Sequence, residues 1–136
     1  MRSRWLLLTA AVLSCAGCAS SGDQLGAAQA RDRLRSAMQT SVATREQRDA
    51  QSRLLVDEVE RAQLERLTLS EVEAALGHGN SCRVSDLCEA QGFGPDDWYY
   101  PIGQIADDKK IKQLPTLIVG FDQHGRVKRV FSLRTH

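Results

Sequence analysis

One histidine and two cysteines in the second half of the chain are the first candidates for chemistry. His78, Cys82 and Cys88 form the pattern H-x3-C-x5-C, which could supply three ligands to a zinc ion. A tetrahedral zinc site usually needs a fourth ligand and a closer cysteine spacing, and no neighbouring Cys or His provides them. In an oxidising compartment, two such cysteines pair by default. We therefore predict a disulfide between Cys82 and Cys88, and no metal site.

Acidic side chains are the next candidates, and they lie at Asp86, Glu89, Asp96, Asp97, Asp107 and Asp108. Neither "GPDDW" nor "ADDKK" has the alternating oxygen ligands and distal Glu of a calcium loop. The sequence has no G-x-S-x-G, no H-E-x-x-H and no phosphate-binding loop, and its histidines are His78, His124 and His136. We therefore predict that the protein is not an enzyme and needs no cofactor.

Three consecutive aromatic residues, Trp98, Tyr99 and Tyr100, are candidates for a protein contact, since Trp and Tyr are common anchors of interfaces. Neighbouring residues on a strand point to opposite faces, so Trp98 and Tyr100 share one face and Tyr99 takes the other. The pattern favours Trp98 and Tyr100 in the core. Tyr99 is then the better candidate for contact with a partner.

The first residues of the chain have the layout of a secretory signal. Arg2 and Arg4 precede an apolar run over residues 5–13, and small residues follow it. The run is about half of the ~20 residues that a membrane-spanning helix needs. We therefore expect residues 1–17 to be a signal peptide that is removed on export.

The end of this segment resembles the cleavage region of bacterial lipoprotein signals, in which small residues precede a cysteine that is acylated and becomes the new N-terminus. The tripeptide "AGC" ending at Cys18 fits this pattern, and Cys15 offers a rival frame. Acylation of Cys18 discards Cys15 and leaves Cys82 and Cys88 as an even pair. The resemblance predicts a lipid on Cys18, with Cys15 as the alternative, and a lipidated tether over residues 18–25. No Asp closely follows either cysteine, which favours the outer membrane.

The charge of the chain is nearly balanced. Lys and Arg number 18 against 17 acidic residues, and loss of the signal leaves 16 against 17. Neither state has the overall positive field that attracts nucleic acid, so we expect no nucleic-acid partner. Arg126, Lys128 and Arg129 form a small basic edge that could meet an acidic partner. Protection of an edge strand from aggregation explains the same residues.

Residues 26–67 contain no proline and are rich in residues that favour a helix. An apolar stripe at Leu55, Val59 and Ala62 thins upstream, so the sustained heptads of a coiled coil are missing. We predict one long charged helix, about 60 Å if continuous, that acts as a spacer from the membrane. A dedicated oligomerisation rod is the alternative.

Residues 68–136 have the pattern of a compact α+β unit. The stretch "TLSEVEAALG" predicts a short helix that is capped by Thr68 or Ser70 and ends at Gly77. A hairpin follows in "LIVGFDQHGRVKRVFSL", with Asp122 bonding the turn backbone and Gly125 supplying a positive φ. Its alternating apolar residues are Leu117, Val119 and Phe121 on one strand and Val127, Phe131 and Leu133 on the other.

The motifs "LTLSEVEAALG", "DWYY" and "LIVGFDQHGRVKRV" together resemble the SmpA/OmlA, or BamE-like, small lipoproteins over about residues 68–133. The resemblance implies an α+β fold in which helices pack on a small three-stranded antiparallel sheet, an arrangement shared with β-lactamase inhibitor proteins. The chain departs from the family in its longer helical segment and in the loop between Cys82 and Cys88.

The resemblance implies a lipid-anchored protein on the periplasmic face of the outer membrane, with a scaffold role that includes assembly of β-barrel proteins. Its partner would be another envelope protein. Two alternatives remain open. One is an inhibitor-like module that binds a periplasmic hydrolase, and the other is a helical rod that links the membrane to the cell wall.

Overall fold

The structure is a computed structural model, and it describes residues 20–135. Within that range the protein has a mixed α+β fold with four α-helices and two small sheets. The helices are α1 (Ser20–Met38), α2 (Arg45–Arg61), α3 (Leu69–Leu76) and α4 (Asp86–Ala90). Single 3-10 turns lie at Leu64–Arg66 and Cys82–Val84. The predicted signal peptide, Cys15 and Cys18 lie outside the described residues.

The larger sheet has four antiparallel strands in the order β2-β3-β5-β6. These strands are β2 (Asn80–Ser81), β3 (Trp98–Pro101), β5 (Thr116–Phe121) and β6 (Val127–Leu133). The sequence predicted three antiparallel strands in this sheet, and the structure has four, because β2 pairs with β3 at one edge. The smaller sheet is a parallel pair, β1 (Ser41–Val42) and β4 (Gln104–Ile105).

The prediction of one long helix over residues 26–67 is corrected by the structure, which has two helices there. The chain leaves α1 after Met38 and pairs with β4 before α2 begins. A capping box at Thr44 starts the second helix: the Gln47 amide donates to the Thr44 hydroxyl, and the Gln47 side chain accepts from the Thr44 amide, both at 3.2 Å. The described part of the predicted tether, residues 20–25, is also helical and belongs to α1.

Helices α1 and α2 run antiparallel and pack into the main core, so they do not form a spacer. Leu34 of α1 and Leu55 of α2 are both fully buried in the cluster that contains Trp98 and Tyr100. The Gln51 side chain ties three segments together, because its amide nitrogen donates to the Ala37 carbonyl at 2.7 Å and to the Ile102 carbonyl at 3.2 Å. The helical segment and the sheet thus form one folded unit.

The predictions for the short helix and the hairpin are confirmed. Thr68 caps α3 in a capping box with Glu71, and Gly77 ends the helix with φ 86°. In the turn after β5, Asp122 Oδ1 accepts the His124 amide at 2.8 Å, and Gly125 has φ 72°. Positive φ values favour glycine, so both glycines are required by the backbone.

A bulge between Gly120 and Phe121 changes the faces of the return strand. Phe121 pairs with Val127, but Ile118 pairs with Phe131. Phe131 therefore lies on the face opposite Val119 and Phe121, because a bulge inserts one extra residue and reverses the alternation beyond it. The predicted simple alternation of Val127, Phe131 and Leu133 is wrong for this reason.

The sheet is covered on both faces. On one face, residues of α1, α2 and α3 enclose the main core with Trp98, Leu117 and Val119. On the other face, a smaller cluster of Cys82, Cys88, Phe93 and Ile118 is formed by the segment that contains the 3-10 turn and α4. Pro101 and Leu133, on the same face beyond this cluster, keep part of their surface exposed.

Candidate protein-binding surface

Cys82 and Cys88 are joined in a disulfide, as predicted, with 5.5 Å between their Cα atoms. Two serines start the helical turns of this loop: the Ser81 hydroxyl accepts the Arg83 amide, and the Ser85 hydroxyl accepts the Cys88 amide, both at 3.2 Å. The bond closes a short loop whose inner side packs on Ile118 of the sheet. The disulfide therefore fixes the segment that covers the second sheet face.

His78 does not join the cysteines in a metal site. Its ring lies against Trp98, with 4.5 Å between ring centroids, and its Nδ1 is 3.4 Å from Glu73 Oε1. Among residues 20–135 no group of three His, Cys, Asp or Glu side chains is placed to hold a metal ion. Both sulfurs of the pattern H-x3-C-x5-C are used in the disulfide.

Two acidic side chains, the candidate Asp97 and the turn residue Asp122, hold the backbone in place. Asp97 is buried, and its two oxygens accept the Gly94 amide at 2.7 Å and the Phe121 amide at 2.9 Å. Hydrogen bonds from the backbone amides of Arg126 and His124 hold the pKa of Asp122 below its usual value. Both oxygens of Asp97 in "GPDDW" are therefore bonded to backbone amides.

Trp98 and Tyr100 are core residues, which confirms the face assigned to them from the sequence. Trp98 packs edge-on against Phe121 with 5.2 Å between ring centroids. The Tyr100 hydroxyl donates to the Gly77 carbonyl at 2.8 Å, and burial, followed by the Glu73 charge, raises the pKa of Tyr100. Gly79 lies directly against both rings. Neither aromatic residue offers a surface to a partner.

Tyr99 is only partly buried and lies on the opposite face, together with three other partly exposed apolar residues. Strand pairing aligns Tyr99 with Ile118 and Phe131, and aligns Pro101 with Thr116 and Leu133. We call Tyr99, Pro101, Phe131 and Leu133 the apolar sheet patch. Ile118 and Thr116 of β5 lie between the β3 and β6 residues of the patch and are buried. Its two aromatic rings and two aliphatic side chains could bind an apolar surface.

Of the four residues in the apolar sheet patch, the sequence predicts the correct face only for Tyr99. Strand alternation predicts the face of Tyr99, whereas it places Phe131 and Leu133 on the same face as Val127, because the bulge at Gly120 has no unmistakable sequence signal. The glycine within "LIVGFD" was the only available hint, since a glycine inside a strand pattern often marks a bulge.

A second surface feature is an open cavity of about 610 Å³ with a basic lining. Its five cations are Arg45, Arg48, Lys110, Lys112 and Arg134. Leu133 lies on its wall and also belongs to the apolar sheet patch. We call this cavity the basic groove. Sequence reasoning missed it because its residues come from three distant segments, and it differs from the basic edge of Arg126, Lys128 and Arg129.

Comparison of the chain with protein-family models, with curated proteins and with solved structures found no match.

No helix within residues 20–135 is both long enough and apolar enough to cross a membrane. The lipid on Cys18, or on Cys15, stays a prediction, as does the SmpA/OmlA resemblance.

Proposed function

We propose that this protein is a lipid-anchored protein on the periplasmic face of the outer membrane that binds another envelope protein without catalysing a reaction. The observation that carries the proposal is the apolar sheet patch. Tyr99 and Pro101 on β3, and Phe131 and Leu133 on β6, lie on one sheet face on either side of the buried middle-strand residues Ile118 and Thr116, and each of the four keeps part of its surface open to solvent. Apolar side chains that stay partly exposed on one face mark a candidate protein contact site.

The chemistry of the patch suits binding. Tyr99 and Phe131 are aromatic residues, which supply large contact area at a low cost in side-chain entropy. Both pack at their inner edges on the disulfide-closed cluster around Ile118. A surface that is held in place before binding loses less entropy when the complex forms. The disulfide thus contributes to the shape of the proposed contact surface as well as to stability.

The anchor and the family resemblance are parts of the same proposal. The N-terminal pattern ending at Cys18 supports acylation, and a stable anchor needs more than one acyl chain, which bacterial lipoproteins carry. A BamE-like arrangement is supported by β3, β5 and β6 with helices on one face. The role would then include assembly of outer-membrane β-barrel proteins.

An inhibitor of a periplasmic hydrolase is the second candidate, because it would use the same face. Val84 favours it: this side chain is 87% exposed and projects from the disulfide loop next to exposed Arg83. A disulfide-closed loop with an exposed apolar tip is suited to enter a cleft. The helical rod loses its support, since α1 and α2 fold back on each other.

Photo-cross-linking in cells tests the proposal. A photoreactive phenylalanine analogue replaces Tyr99 or Phe131, and a matched control replaces Gln29, which is exposed on α1. We expect positions 99 and 131 to give the same cross-linked envelope protein and position 29 not to give it. A hydrolase as the product would favour the inhibitor function. Identical products from all three positions, or none from 99 and 131, would contradict the proposal.

A further inference from the structure

The basic groove combines five cations from three separate parts of the chain. Arg45 and Arg48 come from the first turn and a half of α2, Lys110 and Lys112 from the segment between β4 and β5, and Arg134 from the end of β6. Like charges repel one another, so folding alone gives no reason to bring them together. The lining contains no acidic residue.

Few of these charges are neutralised by the protein itself. Arg48 Nη2 lies 3.2 Å from Asp49, and Lys110 Nζ lies 4.0 Å from Asp107. Within the described part of the chain, Arg45, Lys112 and Arg134 form no ion pair, and all three side chains are exposed. A groove with such a surplus of positive charge attracts anionic groups, and arginine matches the geometry of carboxylates.

The position of the groove indicates which anion it meets. The two helices are antiparallel, since Arg33 contacts Glu58 and Arg31 contacts Ala62. The groove, which lies beside the start of α2, is therefore next to the end of α1. The 19 residues of α1 rise by about 28 Å. The groove is therefore at the opposite end of the helix pair from the start of α1, which follows the proposed lipid anchor. The headgroups of the anchoring membrane lie toward the other end.

Leu133 connects the groove with the apolar sheet patch, because it belongs to both. A protein seated on the patch would therefore extend directly into the groove. We propose that the basic groove binds an acidic segment of the envelope protein that contacts the apolar sheet patch. This inference rests on the proposed function, since it names the chemistry of that partner.

A labelled octaglutamate peptide provides the test, with the full chain purified in detergent. The variant Arg45→Gln/Lys112→Gln/Arg134→Gln removes three groove charges. The control Arg61→Gln/Arg66→Gln/Arg126→Gln removes three exposed charges away from the groove. We expect the wild type to bind the peptide, the groove variant to bind it about tenfold more weakly, and the control to bind it within about twofold of the wild type.

Three results would overturn the inference. The first is that the wild type does not bind the peptide. The second is that both variants bind the peptide equally weakly. The third is that the protein binds phosphatidylglycerol vesicles through the groove charges and that the peptide does not compete with the vesicles. Circular dichroism of both variants checks that they fold. Cross-linking from position 99 separates this inference from the proposed function: if cross-links persist while the peptide fails to bind, only the acidic-segment inference is wrong.

Discussion

Arg33 of α1 and Glu58 of α2 form an ion pair between the helices, with 3.1 Å between Nη1 and Oε1. Glu58 is buried, and the neighbouring Arg31 side chain donates to the Ala62 carbonyl at 2.8 Å. These contacts join the second half of α1 to the last turns of α2. The N-terminal helices are therefore part of the folded unit that carries the apolar sheet patch.

The replacement Leu34→Ala tests this arrangement. Leu34 of α1 is fully buried in the main core, so we expect the free energy of unfolding to fall by about 2–5 kcal/mol. Leu25→Ala is the matched control on the same helix: Leu25 is 63% exposed, and we expect a change within about 0.5 kcal/mol. Urea unfolding measures both. Equal small effects would mean that α1 does not pack on the core.

Removal of the disulfide should weaken the segment that covers the second sheet face. We expect Cys82→Ser/Cys88→Ser to lower the free energy of unfolding by about 2 kcal/mol, because the open loop has more entropy in the unfolded chain. Dithiothreitol should lower the thermal midpoint of the wild type and leave that of the variant unchanged. Alkylation of Cys82 and Cys88 without prior reduction would show that the bond is absent.

Gly79 and Gly26 should respond in opposite directions to alanine. A Cβ at Gly79 would lie 2.5 Å from Cβ of Trp98 and 2.9 Å from Cζ of Tyr100, so we expect Gly79→Ala to cost roughly 1–3 kcal/mol. Nothing lies within 4 Å of a Cβ at Gly26, inside α1, and Gly26→Ala should stabilise by about 0.5–1 kcal/mol. Thermal unfolding measures the pair. A Gly79→Ala variant that is not destabilised would contradict the packing of Gly79 on these rings, and a destabilised Gly26→Ala would contradict the open space at Gly26.

The hairpin turn should depend on acid through Asp122. Its pKa is lowered in the folded protein, so its contribution to stability is full above the usual value of 3.8 and is lost as the pH falls through the folded value. We expect Asp122→Ala to be less stable than the wild type near neutral pH, with the difference shrinking in acid. Gln123→Ala, in the same turn, is the control. A wild-type advantage that stays constant into strong acid would disagree with this role.

The elements that could be predicted from the sequence are those with local signals. The capping box of Thr68 and Glu71 depends on residues three apart, and the turn at Asp122 and Gly125 depends on four consecutive residues. Burial of Trp98 and Tyr100 follows from alternation within a single strand. The fold class and the disulfide could be predicted for the same reason.

The missed features depend on contacts between distant residues. The capping box of Thr44 and Gln47 was present in the sequence, but the break before it is stabilised by Ser41–Val42 pairing with Gln104–Ile105. Most residues of the break are also compatible with a continuing helix. The basic groove needs Arg45 and Arg134 to meet across the fold, which no local pattern indicates.

The claim on which the proposed function depends is the lipid anchor, because the anchor places the apolar sheet patch beside an envelope partner. Mass spectrometry of the protein purified from its native envelope tests it directly. We predict that the mature chain begins at Cys18 and carries acyl chains on that residue. A lipid on an N-terminal Cys15 would keep the anchor and change its residue, whereas a mature chain that begins at neither cysteine, or an N-terminal cysteine without lipid, would contradict the account.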